Sequence, residues 1–138
     1  MAGKIAFELV SPERLLESTE ADMVVVPGVE GDFGVLPGHI PIISTLRPGV
    51  IEIHDNGAVR QRIMVTGGFA EVSNDRLTIL VEEAMPLADV TVAQLEGKLR
   101  QAQDALAEAA DAPAREIAEK QVLMAQDLRR AYDFYASR

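Results

Sequence analysis

Ile51-Glu52-Ile53-His54-Asp55-Asn56-Gly57-Ala58-Val59-Arg60-Gln61-Arg62-Ile63-Met64-Val65 alternates apolar and polar residues on both sides of a tight-turn tripeptide. Ile51 and Ile53 interleave with Glu52 and His54, and Val59, Ile63 and Val65 share one face with Arg60 and Arg62 on the other. A period of two is that of a half-buried strand, whose successive side chains point to opposite sides. Asn56-Gly57 supplies the left-handed backbone that a short hairpin turn needs. The stretch reads as a β-hairpin.

The same punctuation extends in both directions. Ile5, Phe7 and Leu9 alternate with Ala6, Glu8 and Val10, and Met23-Val24-Val25-Val26 ends at Pro27-Gly28. Gly67-Gly68 breaks the strand after Val65, and Ser73-Asn74-Asp75 turns into Leu77, Ile79 and Val81. Many short strands joined by tight turns predict an antiparallel sandwich or barrel, here from about residue 3 to 86. Within it, Gly31-Asp32-Phe33-Gly34-Val35-Leu36-Pro37-Gly38-His39-Ile40-Pro41 reads as a shaped, rigid loop system. Glycine opens backbone angles closed to other residues, and proline fixes its own. No Gly-Lys-Ser/Thr follows, so this is no phosphate loop. A stiff loop presenting one acid, one histidine and several apolar side chains suits gripping a protein.

After Pro86 the period changes. Val92, Leu95, Leu99, Ala102, Leu106 and Ala109 recur at helical spacing, and Thr91 with Gln94 forms a capping-box start. Asp111-Ala112-Pro113 interrupts, with proline suited to the first turn of a new helix. Ala114, Ile117, Gln121, Met124, Leu128, Ala131 and Tyr135 then mark a second stripe. Two helices, near 91–110 and 113–135, joined by so short a link predict an antiparallel αα-hairpin. Its stripe is half alanine, so it docks weakly and leans on the β domain or on another protein. Gly97 costs helix stability and is expected to permit close approach of a neighbour.

The net charge of −9 argues against nucleic acid and against direct binding to anionic lipid. With no cysteine there is no disulfide framework or thiolate metal site. The opening residues carry no signal-peptide pattern, and no apolar run approaches the roughly 20 residues of a membrane span. A soluble cytosolic protein is expected, held at a membrane only by a partner. Of the two histidines, His54 reads as a surface residue beside a turn, and His39 as a loop-packing residue or a partner contact. A metal site would need more ligands than Asp32 and His39. None of the serines lies in a nucleophile elbow, and Glu82-Glu83 point to opposite sides of a strand end. Arg115, Lys120, Arg129 and Arg130 make the second helix locally basic, as a solvated face or for an acidic protein partner. No catalytic constellation emerges.

Phe7-Glu8-Leu9-Val10-Ser11-Pro12, Leu46-Arg47-Pro48-Gly49, Gly67-Gly68-Phe69 and above all Val26-Pro27-Gly28-Val29-Glu30-Gly31 continuing through Asp32 to Pro41 resemble the epsilon-subunit family of bacterial F-type ATP synthases. The resemblance spans nearly the whole chain. It implies an N-terminal antiparallel β-sandwich of about ten strands (residues 1–86) docking on the gamma subunit and the polar loops of the c-ring. The C-terminal αα-hairpin (87–138) is then a regulatory element. The implied role is that of a noncatalytic rotor subunit that couples c-ring rotation to ATP synthesis at the cytoplasmic face of the bacterial inner membrane. No cofactor and no membrane insertion are implied. The family's acid and histidine for the c-ring fall on Asp32 and His39. Its hairpin can extend along gamma and restrain ATP hydrolysis, which assigns Arg115, Lys120, Arg129 and Arg130 by region to contacts with the alpha and beta subunits. The family's ATP signature is degenerate here: Ala88-Asp89-Val90-Thr91-Val92-Ala93 keeps Asp89 but puts Val92 at the arginine position, and valine cannot pair with a phosphate. Tight ATP binding is therefore not expected.

The rival reading is a free-standing β-sandwich binding module with a helical dimerisation hairpin. A sugar-stacking version calls for exposed aromatics, whereas Phe7, Phe33 and Phe69 all sit among apolar neighbours in sequence. A cleavage-factor hairpin calls for clustered acids at its tip, where Asp111 is nearly alone.

Overall fold

The computed structural model describes residues 3–138; Met1 and Ala2, the first residues of the segment anticipated as 1–86, lie outside the described residues. Ten strands precede the helices: β1 (Ile5–Val10), β2 (Leu15–Ala21), β3 (Met23–Gly28), β4 (Gly31–Val35), β5 (Ile42–Leu46), β6 (Gly49–Asp55), β7 (Ala58–Val65), β8 (Gly68–Ser73), β9 (Arg76–Val81) and β10 (Ala84–Pro86). They run β10-β7-β6-β3-β5-β8-β9-β1-β2 in one sheet, with β4 paired to β3. Folded on itself, this sheet becomes a flattened sandwich whose interior takes Ile5, Phe7 and Leu9 from β1, Val24 and Val26 from β3, Ile51 and Ile53 from β6, and Leu77 and Ile79 from β9. Those are the residues the alternation puts inside. The sheet is not wholly antiparallel: β1 lies parallel to β9, Phe7 beside Leu77.

The turns form where the sequence carries left-handed formers. Asn56 and Gly57 have φ of 54° and 78°, and Asn74 and Asp75 of 53° and 59°, values open to Asn, Asp and Gly at little cost. Gly31–Val35, anticipated as loop, is a strand. Gly28 meets Gly31 at its turn and Val24 meets Val35 at its far end, because Phe33 and Val35 are strand-forming residues with a partner edge to pair. The true loop is only Leu36–Pro41. Val59 does not share a face with Ile63. A bulge pairs Ile53 with Gln61 but His54 with Val59, so Arg60 is the extra residue and the alternation inverts across it. Val59 is 37% exposed while Ile63 is buried. His54 is half-covered rather than at the surface, its Nε2 3.4 Å from Glu52 Oε1.

A turn of 3₁₀ helix at Leu87–Asp89 leads into α1 (Val92–Glu108) and α2 (Ala112–Tyr135). Both halves of the capping box at Thr91 and Gln94 form, and Asp111 accepts from the Ala114 amide with Pro113 in the first turn of α2. The α1 stripe buries Leu95 and Ala102 as read. The α2 stripe is shifted: Ala118, Ala125, Leu128 and Tyr135 are buried, while Gln121 is exposed and Ile117 is 60% exposed. Spacings of seven, three and seven describe one narrow stripe, whose alanines let a neighbouring helix axis close in and whose Leu128 and Tyr135 join the apolar cluster on the sandwich. Gly97 serves no close approach, because a Cβ there would meet nothing within 4 Å.

At one end of the sandwich, Lys4 Nζ lies 2.6 Å from Asp22 and 2.9 Å from Asp55, Arg60 pairs with Asp55, and the Asn56 amide donates to Asp22. This knot ties β1, the β2–β3 corner and the β6–β7 turn. Lys4's hydrogen bond, ahead of the Asn56 amide at Asp22 and of Arg60 at Asp55, holds both carboxyls below their ordinary 3.8. The folded chain thus binds fewer protons than the unfolded one as pH falls through that range. The stabilisation is present above the ordinary value and lost through the lowered one. Thermal unfolding followed down to pH 2 should give Asp22→Asn,Asp55→Asn a flatter acid limb than the parent, and parallel curves would dismiss the knot. Two glycine substitutions should part in sign. Gly97→Ala raises stability by about 1 kcal/mol, whereas Gly68→Ala, at φ 145° and with its Cβ 2.0 Å from the Leu80 carbonyl oxygen, prevents proper pairing of β8 with β9. Urea titration of each variant checks both.

Candidate functional site: a bare apolar face and a clamped sandwich end

The sandwich has two outer faces, and they are treated differently. On the β6–β7 side, Val50 and Met64 stand opposite each other and belong with Val90, Leu95, Leu128 and Tyr135 in a second apolar cluster, outside the sandwich interior. The hairpin lies across that face. The uninterrupted run Ile63-Met64-Val65 was the sequence signal for it: a strand covered on one side only alternates, and one covered on both does not.

The β5–β8–β9 side is bare. Thr45 pairs with Phe69 and Phe69 with Leu80, while Ile43 pairs with Glu71, so Ile43, Phe69 and Leu80 all point outward from one face. They are 73%, 56% and 45% exposed, and Ile40 and Ile42 beside them are exposed too. Phe69, expected among apolar neighbours, is therefore a surface residue. Apolar side chains grouped like this on one face of a sheet mark a surface that another molecule covers.

The two candidate loop residues are separated by the strand between them. Asp32 lies at the start of β4, opposite Pro27. Its Oδ1 accepts from Arg47 Nη2 at 2.5 Å, and Arg47 Nη1 also donates to the Gly28 carbonyl at 2.5 Å. The Tyr135 hydroxyl of α2 stands 3.4 Å from Asp32 Oδ2. Burial first, then the charges of Asp32 and Glu52, raise the Tyr135 phenol above its ordinary 10.0, which keeps it a neutral donor. His39 belongs to the loop past the other end of β4. Its Nδ1 is 2.7 Å from the Ile40 carbonyl oxygen, its amide donates to Leu36, and the neighbouring Gly38 amide donates to Asp75 at 2.6 Å. Asp32 and His39 are thus two separate fixed points along one edge of the sandwich. Arg47 and Tyr135 were not singled out from sequence as site residues; Leu46-Arg47-Pro48-Gly49 served only to carry the family resemblance, and Tyr135 only as a stripe residue.

The cations of α2 are mostly matched within the hairpin. Arg129 bridges Glu96 of α1 at 3.2 Å and Asp133 at 3.0 Å, Arg130 pairs with Asp127, and Lys120 lies 3.5 Å from Glu116. Arg115 has no ion pair among the described residues. Asp89 is exposed in the 3₁₀ turn and Val92 partly covered in the first turn of α1, while Val90 between them is buried against the sandwich. Among the described residues no helix is long and apolar enough to cross a membrane.

Because the interior core draws on strands alone, a chain ending at Pro86 should keep a cooperative thermal transition. It should also bind more of a fluorescent apolar dye than the full chain does, since Val50 and Met64 lose their cover and add to the face already bare. A truncate that melts without a transition would show the hairpin to be part of the core.

Sequence and structure comparisons converge on one family. The profile described as ATP synthase, Delta/Epsilon chain, beta-sandwich domain matches residues 4–87. An ATP synthase epsilon chain of Paramagnetospirillum magneticum is 55% identical over 79% of this chain and 82% of its own length. That of Parvibaculum lavamentivorans is 49% identical over 94% and 98%. A chain of the Euglena gracilis mitochondrial ATP synthase structure (OSCP/F1/c-ring) superposes with a TM-score of 0.75 at 25% identity, covering 93% of this chain and 81% of that one. One from the Tetrahymena thermophila central stalk and c-ring shares the fold at 14% identity, with a TM-score of 0.71. A strand-built sandwich with one face left bare, a helical hairpin folded over the other, and close sequence kinship along both parts place the chain in the ATP synthase delta/epsilon family, as a noncatalytic epsilon-type subunit of a bacterial F-type ATP synthase.

Proposed function

We propose that the chain is the foot of the rotor, a noncatalytic central-stalk subunit that joins gamma to the c-ring and carries ring rotation toward ATP synthesis. The observation that carries this reading is the bare face of Ile43, Phe69 and Leu80, set on a rigid sheet and left open while the opposite face is closed by the chain's own helices. A rotor part transmits torque through a docking surface that does not yield, and a sheet buttressed from behind meets that requirement. In this reading the bare face takes gamma. Asp32 and His39, each pinned by neighbouring groups, meet the polar loops of the c-ring. The complex then holds the subunit at the cytoplasmic face of the inner membrane without any insertion of its own.

In the same reading the hairpin restrains ATP hydrolysis by leaving its dock and extending between the catalytic subunits. Arg129 would exchange Glu96 for an acidic surface of the partner, with Arg115, Lys120 and Arg130 beside it. Six buried side chains hold the dock, and two of the α2 seam positions are alanine. Complete reversal of such an equilibrium needs about 5.5 kcal/mol of differential contact, within reach of two long helices. The rival module with a dimerising hairpin is disfavoured because the stripe that would dimerise is already spent on Val50 and Met64.

Phe69→Glu should leave the isolated subunit's melting temperature within a few degrees of the parent, since the side chain is exposed. Co-purification with gamma should be lost. Retained co-purification would overturn the docking face. Asp32→Ala with His39→Ala should uncouple hydrolysis from proton pumping in reconstituted vesicles, and deletion of residues 87–138 should raise hydrolysis. Full coupling in the first, or unchanged hydrolysis in the second, would remove the corresponding role.

A further inference from the structure

The carboxylate of Asp32 does more than face outward from its strand, because the hairpin reaches back to it. Tyr135 ends α2 with its ring buried against the sandwich and its hydroxyl on Asp32 Oδ2 at 3.4 Å, while Arg47 holds Oδ1. The Tyr135 ring is itself held from the sheet side. Arg62 of β7 lies over it, its Cζ 5.6 Å from the ring centroid, anchors Nε on Glu52 at 2.7 Å and donates Nη1 to the Arg138 carbonyl at 3.0 Å. Phe134 packs edge-on against the same ring at 4.8 Å. Between the two elements lies a cavity of about 240 Å³ whose sandwich wall includes Asp32, Arg47 and Val50 and whose α2 wall includes Asp127, Arg130 and Phe134. The surroundings of Asp32 are therefore composite, one half sandwich and one half helix.

We propose that Asp32 is the receiving half of a latch for the C-terminal helix, its carboxylate shared between Arg47 and Tyr135, so that a partner's cationic group drawing on that carboxylate loosens the docked hairpin. The physical reason is competition. Oδ1 is engaged by a guanidinium that also grips Gly28, which leaves Oδ2 as the oxygen offered to a newcomer, and Oδ2 is the oxygen that Tyr135 uses. Contact at Asp32 and closure of the hairpin are then opposed, and by linkage each lowers the affinity of the other by the same factor. The identity of the partner rests on the reading of Asp32 as a c-ring contact; the latch itself does not, and its test needs only the isolated chain.

The test is hydrogen–deuterium exchange of the full chain, followed by mass spectrometry over residues 128–138, with β9 as internal reference. Tyr135→Phe keeps the ring's packing and removes only the hydroxyl. It should speed exchange at the end of α2 by roughly two- to fivefold, the factor set by one weak hydrogen bond, and leave β9 unmoved. The same change should act in an Asp32→Asn background, where an acceptor oxygen remains, and should do nothing in an Asp32→Ala background, where the acceptor is gone. Equal acceleration in all three backgrounds, or none in the parent, would overturn the latch. A failure here leaves the c-ring reading to its own coupling assay, and failure of that assay leaves the latch intact.

Discussion

Val50 and Met64 stand opposite each other on the outside of the β6–β7 pair, and a sheet cannot leave apolar side chains on both its faces in water without cost. The need to cover that pair decides where the hairpin lies. Leu128 and Leu95 settle on it from α2 and α1, Val90 closes it from the linker, and Tyr135 seals the far edge. Each fully buried side chain of this size contributes about 1.5–3 kcal/mol. The cluster is small beside the sandwich interior, which holds seventeen buried residues. Such an imbalance makes the hairpin the element of lower stability, because local opening tracks the local density of buried contacts.

Asymmetry between the two outer faces is the link from packing to function. A β-sandwich standing alone would solvate both faces. Here one is closed by the chain itself and the other presents Ile43, Phe69 and Leu80 to the outside. The interior core stiffens the sheet between them, so a load applied at the bare face is borne by strands and not by the loosely held helices. Under the proposed function that division supplies a firm surface for torque and a separate, more weakly held element for control.

The charged groups sort along the same division. The Lys4–Asp22–Asp55–Arg60 knot sits where the entry to β1, the β2–β3 corner and the β6–β7 turn meet, and serves the fold. The Asp32–Arg47 pair sits at the opposite corner, is partly open to solvent, and is worth little as a surface ion pair in itself. Its interest lies in position, between the sandwich edge and the last turn of α2. Within the hairpin, Arg129 to Glu96 is the ion pair found between the two helices. Separation of α1 from α2 would cost that bridge, while extension of both as a unit would keep it.

Local sequence determined the elements. Alternation at Ile5, Phe7, Leu9 and at Leu77, Ile79, Val81 wrote the interior faces, the Asn-Gly and Asn-Asp pairs wrote the turns, and Thr91, Gln94, Asp111 and Pro113 wrote the helix starts, because these features act over a few residues and need no distant partner. The strand at Gly31–Val35 was hidden by its glycines, and only pairing with β3 made it a strand. The phase of α2 was likewise undetermined, since an alanine-rich helix offers nearly equal stripes and the partner surface selects one. The bulge at Arg60 inverted Val59 through a register that no single strand carries. That Asp32 would lie under Tyr135, 103 residues away, while parting from His39, seven residues on, was decided by the tertiary structure alone: a strand drives its two ends apart, and a docked helix brings distant ends together.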